Sequence, residues 1–139
     1  MLKAVIDTSV FVSALIKSPS CRKIIQALEK ESFILVVSSD ILAELIGVIA
    51  RPKFHHVVNR DIAARLIEVI KTQALFVNPG FRLSIVKDDP DDNCFLEAAL
   101  TARANCIVSL DNHLLKLGSF RGISVVKPTA FLNLLENKS

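Results

Sequence analysis

Lys3-Ala4-Val5-Ile6-Asp7-Thr8-Ser9 is a short apolar run that stops at an acid followed by two hydroxyl residues. Such a run predicts a buried strand. The chain then enters a helix over residues 10–16, with Thr8 or Ser9 as its cap. The same order recurs downstream. Five apolar residues at 33–37 meet Ser38-Ser39-Asp40, predicting a second buried strand and a capped helix through Ala50. Leu42, Leu45, Ile46 and Ile49 lie on the inner side of that helix. A strand over residues 106–110 again ends at an acid, Asp111, and residues 123–126 form the last strand.

The connections are helical. Ser18-Pro19-Ser20 is expected to break the chain before a helix at 21–31, and Asn59-Arg60-Asp61 opens another. A short strand is expected at 75–77 and an extended stretch at 82–87. A helix starting at Asp91 or Asp92 runs through Arg103, and a helical turn or two covers 114–117. Pro128 opens a terminal helix to Leu135, with the last four residues outside it. Apolar strands alternating with helices predict the α/β class, with a mostly parallel sheet covered on both faces.

At 139 residues the chain fits one domain, taken as 1–139 with a core from about 3 to 135. A chain of this size buries about two thirds of its extended surface, so it needs no disulfide or metal staple. Hydrophobic residues make up 51% of it, which excludes intrinsic disorder. No apolar run reaches membrane-spanning length. The opening segment is expected to be a strand and not a signal peptide, so a cytoplasmic location is expected. Cys21, Cys94 and Cys106 have no close pairing spacing and are expected to be single buried thiols.

Seventeen Lys and Arg face fourteen Asp and Glu, a net charge of +3. That balance permits a polyanionic partner without requiring one. The distribution is more informative: of eight aspartates, four lie in Asp88-Asp89-Pro90-Asp91-Asp92. An acidic focus in a basic chain suits carboxylates that hold a divalent cation against a phosphate backbone.

Ligands of open parallel sheets bind beyond the carboxyl ends of the strands. Asp7 and Asp111 stand at two such ends, Asp92 begins a helix facing the same rim, and Glu44 lies one turn into the helix after the second strand. Taken singly, each has an ordinary explanation. Asp7 and Asp111 suit caps or turns, Glu44 a solvated helix face, and Asp88, Asp89 and Asp91 a loop and helix N-terminus. Together, four carboxylates in one pocket require protons or a cation. Mg²⁺ and Mn²⁺ prefer such oxygen ligands. His55, His56 and His113 lack companions at zinc-like spacing and are expected not to be metal ligands. No glycine-rich phosphate loop and no Ser-His relay is present. Phe54 and Phe81 sit in irregular stretches, where core packing is the expected role.

Val5-Ile6-Asp7-Thr8-Ser9-Val10-Phe11, Ser39-Asp40-Ile41-Leu42-Ala43-Glu44-Leu45, Asp88-Asp89-Pro90-Asp91-Asp92-Asn93 and Val108-Ser109-Leu110-Asp111 resemble, in this order, the PIN-domain family. They are most similar to its bacterial branch of toxin components of toxin–antitoxin pairs, the VapC-like ribonucleases. The resemblance implies a Rossmann-like three-layer α/β/α fold and a Mg²⁺- or Mn²⁺-dependent endoribonuclease. It implies Asp7, Glu44, Asp92 and Asp111 as the catalytic acids and metal ligands. Glu44 would orient or deprotonate water or complete a second metal site. The hydroxyl beside the first acid is Thr8 or Ser9, orienting a carboxylate or touching phosphate. Asp89 and Asn93 are candidates for substrate contact or for supporting the ligands. RNA, a small antitoxin protein and a second copy in a homodimer are the implied partners. The alternatives are a catalytically silent PIN-fold module that binds RNA or a protein partner and, more remotely, a phosphoacceptor receiver domain. Lys127-Pro128 resembles the late lysine-proline of receivers.

Overall fold

Ala4, Val5 and Ile6 are all buried, as are Leu35, Val36, Val37 and Cys106, Ile107, Val108. Successive side chains of a strand point to opposite faces, so three consecutive buried residues mean that both faces are covered. These are the central strands β1 (Lys3–Ile6), β2 (Ile34–Val37) and β4 (Cys106–Val108) of a six-stranded sheet. The computed structural model describes residues 1–87 and 90–138. The remaining strands are β3 (Leu75–Phe76), β5 (Ser119–Phe120) and β6 (Ile123–Val126), and the order is β3-β2-β1-β4-β6-β5. All pairings are parallel except β5 with β6.

Among the described residues seven α-helices flank the sheet: α1 (Thr8–Ile16), α2 (Pro19–Glu29), α3 (Ser39–Ile49), α4 (Arg60–Gln73), α5 (Asn93–Ala102), α6 (Asn112–Leu115) and α7 (Pro128–Lys138). Helix α5 packs across β1, β2 and β4, and α2 packs against both α1 and α7. One hydrophobic core runs from Leu2 to Phe131, whose ring meets Phe33 edge-on at 5.0 Å. Phe54 packs against this core, whereas Phe81 is 41% exposed. Among the described residues no helix is long and apolar enough to cross a membrane.

The strands and helices expected from patterning are present, with local differences that have physical causes. The cap of α1 is Asp7, whose carboxylate accepts the Ser9 N–H; Thr8 and Ser9 are already helical. Ser18-Pro19 starts a helix where a break was expected. Ser18 Oγ accepts the Cys21 N–H at 3.3 Å, and Pro19 occupies the first turn, where a missing N–H costs nothing. Residues 82–87 form no strand. The fourth strand stops at Val108 because Ser109 and Leu110 turn toward Asp111. Helix α7 continues past 135 to Lys138.

One element was absent from the sequence prediction. β5 and β6 form a hairpin across Arg121-Gly122, both at positive φ (49° and 85°). Two such residues make the two-residue turn whose twist matches paired strands. Gly122 suits it; Arg121 hides it, because a non-glycine residue at positive φ is uncommon.

Candidate active site

The sheet has a switch point between its central strands. From β1 the chain moves to β2 and β3 on one side; β4, β6 and β5 extend the other. The connections after β1 and β4 therefore diverge, leaving a crevice beyond their carboxyl ends. Register brings the ends together: Ile6 pairs with Val108, and the Asp7 N–H donates to the Val108 carbonyl at 2.9 Å. The next residues, Asp7 and Ser109, then lie side by side.

Asp7 is buried, with 3% exposed, and three donors hold its carboxylate. Ser109 Oγ donates to Oδ2 at 2.6 Å, Ser9 Oγ donates to Oδ2 at 3.0 Å, and the Ser9 N–H donates to Oδ1 at 3.2 Å. The two hydroxyls also accept from the turn after β4. Leu110 N–H donates to Ser9 Oγ at 3.2 Å and Asp111 N–H to Ser109 Oγ at 2.8 Å. Asp7 thus both caps α1 and braces the turn that carries Asp111. Burial pushes its pKa up; the Ser109 and Ser9 hydrogen bonds oppose this, and the nearby Asp111 charge adds to it. Of the two candidate hydroxyls, Ser9 supports the carboxylate. Thr8 Oγ1 is buried with no hydrogen-bond partner among the described residues.

Asp111 caps α6, its Oδ1 accepting the His113 N–H at 2.8 Å. Asp92 closes a 3₁₀ turn at Pro90–Asp92 and is buried, while its neighbour Asp91 is exposed. Its backbone is αR and its side chain does not cap α5. Instead one carboxylate oxygen of Asp92, one of Asp111 and a ring nitrogen of His113 lie within 4.8 Å of one another. A cation with bonds of about 2.0–2.4 Å touches atoms up to about 4.8 Å apart, so the donor set fits a divalent ion. His113, expected from its spacing not to be a metal ligand, stands in this group, where sequence reasoning had not placed it.

Glu44 is half-buried and lines the adjoining cleft. Cys94 Sγ lies 3.9 Å from its Oε2. That cleft, of about 530 Å³, also carries Asp40, Arg82, Asp91 and Glu97. Burial pushes the Cys94 thiol up, and the charges of Glu44, Glu97, Asp40 and Asp92 push it further. Cys94 therefore stands beside Glu44 as a neutral thiol. Burial alone pushes Cys106 up to about 11.

Two polar residues one turn apart on the buried face of α5 hold the segment that leads to Asp92. Asn93 Oδ1 accepts the Ile85 and Val86 N–H groups at 2.9 Å each, and its Nδ2 donates to the Val86 and Pro90 carbonyls at 3.0 Å each. Glu97, with 3% exposed, accepts the Leu83 N–H at 2.8 Å and Arg82 at 3.3 Å. Arg82 also meets Asp40 at 2.6 Å. Asn93 is thus spent on backbone. Asp89, with Asp88, lies outside the described residues.

A family model for the PIN domain matches residues 3–113. The chain belongs to the PIN-domain family. Solved structures similar to this PIN domain agree on the fold. PAE2754 from Pyrobaculum aerophilum aligns with a TM-score of 0.66 at 12% identity, over 98% of this chain and 90% of that one. VapBC2 from Rickettsia felis, crystallised bound to a DNA fragment from its promoter, aligns with a TM-score of 0.58 at 14% identity, over 91% and 98%. VapBC-1 from nontypeable Haemophilus influenzae aligns with a TM-score of 0.58 at 16% identity, over 92% and 99%. No curated protein matches the chain. The PIN assignment replaces the receiver alternative, whose acceptor position after the third strand falls here on an edge strand followed by Val77-Asn78.

Burial of Asp7 has a consequence for stability. A carboxyl whose pKa is raised by folding favours the protonated folded state. Its contribution is present below the unfolded value near 3.9 and is lost as pH rises through the raised folded value. In metal-free protein, Asp7→Asn is therefore expected to raise Tm at neutral pH. The gain should shrink toward pH 4. Thermal melts of both proteins in chelator across that range check it; a pH-independent difference would contradict it.

Proposed function

We propose that this PIN domain is a Mg²⁺- or Mn²⁺-dependent endoribonuclease acting as the toxin of a toxin–antitoxin pair in the cytoplasm. The observation that carries the proposal is the gathering of Asp92, Asp111 and His113 within reach of one divalent ion, with the buried Asp7 near Asp111. Asp92 and Asp111 would hold the ion, with Asp7 beside them and Glu44 completing the acidic rim. A bound dication supplies Lewis acidity, which acidifies water and stabilises charge on a phosphoryl oxygen.

The side chains around it have separable tasks. Ser9 and Ser109 fix the Asp7 carboxylate by hydrogen bonds. Glu44, in the neighbouring cleft, would orient or deprotonate the attacking water. Asn93 and Glu97 keep the Asp92 segment seated on α5. Basic side chains farther out would hold the RNA backbone without reading its sequence. Two of the structural neighbours are VapBC assemblies, which favours an antitoxin partner. Exposed Ile62, Leu75, Phe76, Phe81 and Ile85 are apolar surface that an antitoxin or a second copy in a homodimer would cover.

A phosphate backbone is repelled by the rim until a cation neutralises it. Single-stranded RNA is therefore expected to bind weakly in chelator and more tightly in Ca²⁺, with a salt slope of about two to four phosphate contacts. Cleavage of an RNA panel by purified protein should require Mg²⁺ or Mn²⁺. Binding that ignores Ca²⁺, with no cleavage under any divalent ion, would overturn the nuclease proposal in favour of a silent binding module.

A further inference from the structure

The turn after β4 does more than carry an acid. Asp111 Oδ1 accepts the backbone N–H of His113 at 2.8 Å, and this cap folds the imidazole back over the carboxylate two residues earlier. His113 Nδ1 then lies 3.6 Å from Asp111 Oδ1. That is too long for a hydrogen bond, yet Nδ1 is buried with no hydrogen-bond partner among the described residues. The two atoms are within ion-pair range of each other, but charge-assisted N–H···O hydrogen bonds are shorter, about 2.7–2.9 Å. A gap of this size between two donor atoms is what a shared cation fills. Asp92 reaches the same place from the start of α5, all three ligand atoms lying within 4.8 Å.

We infer that His113 is a direct ligand of the divalent ion, through an imidazole nitrogen, in a mixed site with Asp92 and Asp111. The inference rests on the metal-dependent function proposed above. It adds a nitrogen donor to a site otherwise made of carboxylates, and a nitrogen donor changes which ion the site prefers. Mg²⁺ takes oxygen ligands and keeps its waters, whereas imidazole favours transition-metal dications. The site should therefore take Mn²⁺ in preference to Mg²⁺. The mainstay of the α6 cap is a backbone N–H, so replacing the imidazole leaves the cap intact.

The test uses the untagged full-length protein with Mn²⁺ as the probe. Electron spin-echo envelope modulation of bound Mn²⁺ should show ¹⁴N coupling from a coordinated imidazole. The coupling should vanish in His113→Ala and in His113→Gln, both remaining folded by circular dichroism. The Mn²⁺ dissociation constant should rise at least about tenfold in both, since loss of even a supporting partner costs that much. The Mg²⁺ constant, from competition, should rise less. Mn²⁺ that binds in an Asp92-dependent way without ¹⁴N coupling overturns the inference and leaves the metal-dependent function standing. A weakened affinity without that coupling likewise overturns it, reducing His113 to a positioning role. Failure of Mn²⁺ to bind wild type in an Asp92-dependent way removes the metal site itself, and the inference with it.

Discussion

Asp92→Asn is expected to lower divalent-metal-dependent RNA cleavage by at least about a hundredfold, the upper range for loss of a mere supporting partner of a metal site. The side chain is buried beside Asp111 and His113, and it makes no cap to α5. The change removes no side-chain cap from α5, so the variant is expected to stay folded. Asp7→Asn is expected to lose cleavage to a similar degree while gaining metal-free stability. Single-turnover cleavage at saturating Mn²⁺, with far-UV circular dichroism on the same samples, measures both properties. Wild-type rates in both Asn variants, under controlled metal, would remove these acids from the mechanism.

Asn93→Ala is expected to be the most damaging single change to the support of the site. The side chain is 5% exposed and makes four hydrogen bonds to the backbone of Ile85, Val86 and Pro90. Truncation strands those groups, the Val86 pair in buried surroundings. Each stranded buried group costs about 1–3 kcal/mol. A loss of about 3 kcal/mol is expected, a large share of the 5–15 kcal/mol typical of a domain. Urea unfolding should show a lower midpoint at an unchanged slope. Asp92 is the next residue in the chain, so cleavage should fall with the loosened segment even at temperatures where the variant is folded. An unchanged midpoint would mean that solvent replaces these bonds without cost.

The sequence was a good guide wherever a single local force decides the outcome. β2 and β4 and the Ala4–Ile6 run of β1 were legible because a strand covered on both faces is apolar throughout, and β6 because buried Ile123 and Val125 flank exposed Ser124. The caps at Ser38 and Asn59 were legible because a side-chain oxygen next to an apolar-periodic segment has one common use, accepting the orphan N–H groups of the first turn. The cap of α1 was left open among three adjacent candidates, Asp7, Thr8 and Ser9. Local preference ranks all three as caps. Pairing of β1 with β4 decides among them, because Asp7 leaves the sheet beside Ser109 with its carboxylate already turned toward the α1 N-terminus. Arg121 masked the β5–β6 hairpin for a related reason: its positive φ is imposed by strand pairing against its own preference.

By itself the sequence determined the α/β class, the burial of the central strands and the candidacy of Asp7, Glu44, Asp92 and Asp111, since periodicity, capping and the chemistry of carboxylates are properties of short segments. Only the tertiary structure decided how those candidates are distributed. It joins Asp7 to Asp111 through Ser109 and gathers Asp92, Asp111 and His113. It sets Glu44 in the neighbouring cleft against Cys94, and commits Asn93 to the loop backbone. Register between β1 and β4 links residues a hundred positions apart. No window along the chain contains that pairing, because parallel strands are brought together by burial of whole faces and not by neighbours in sequence.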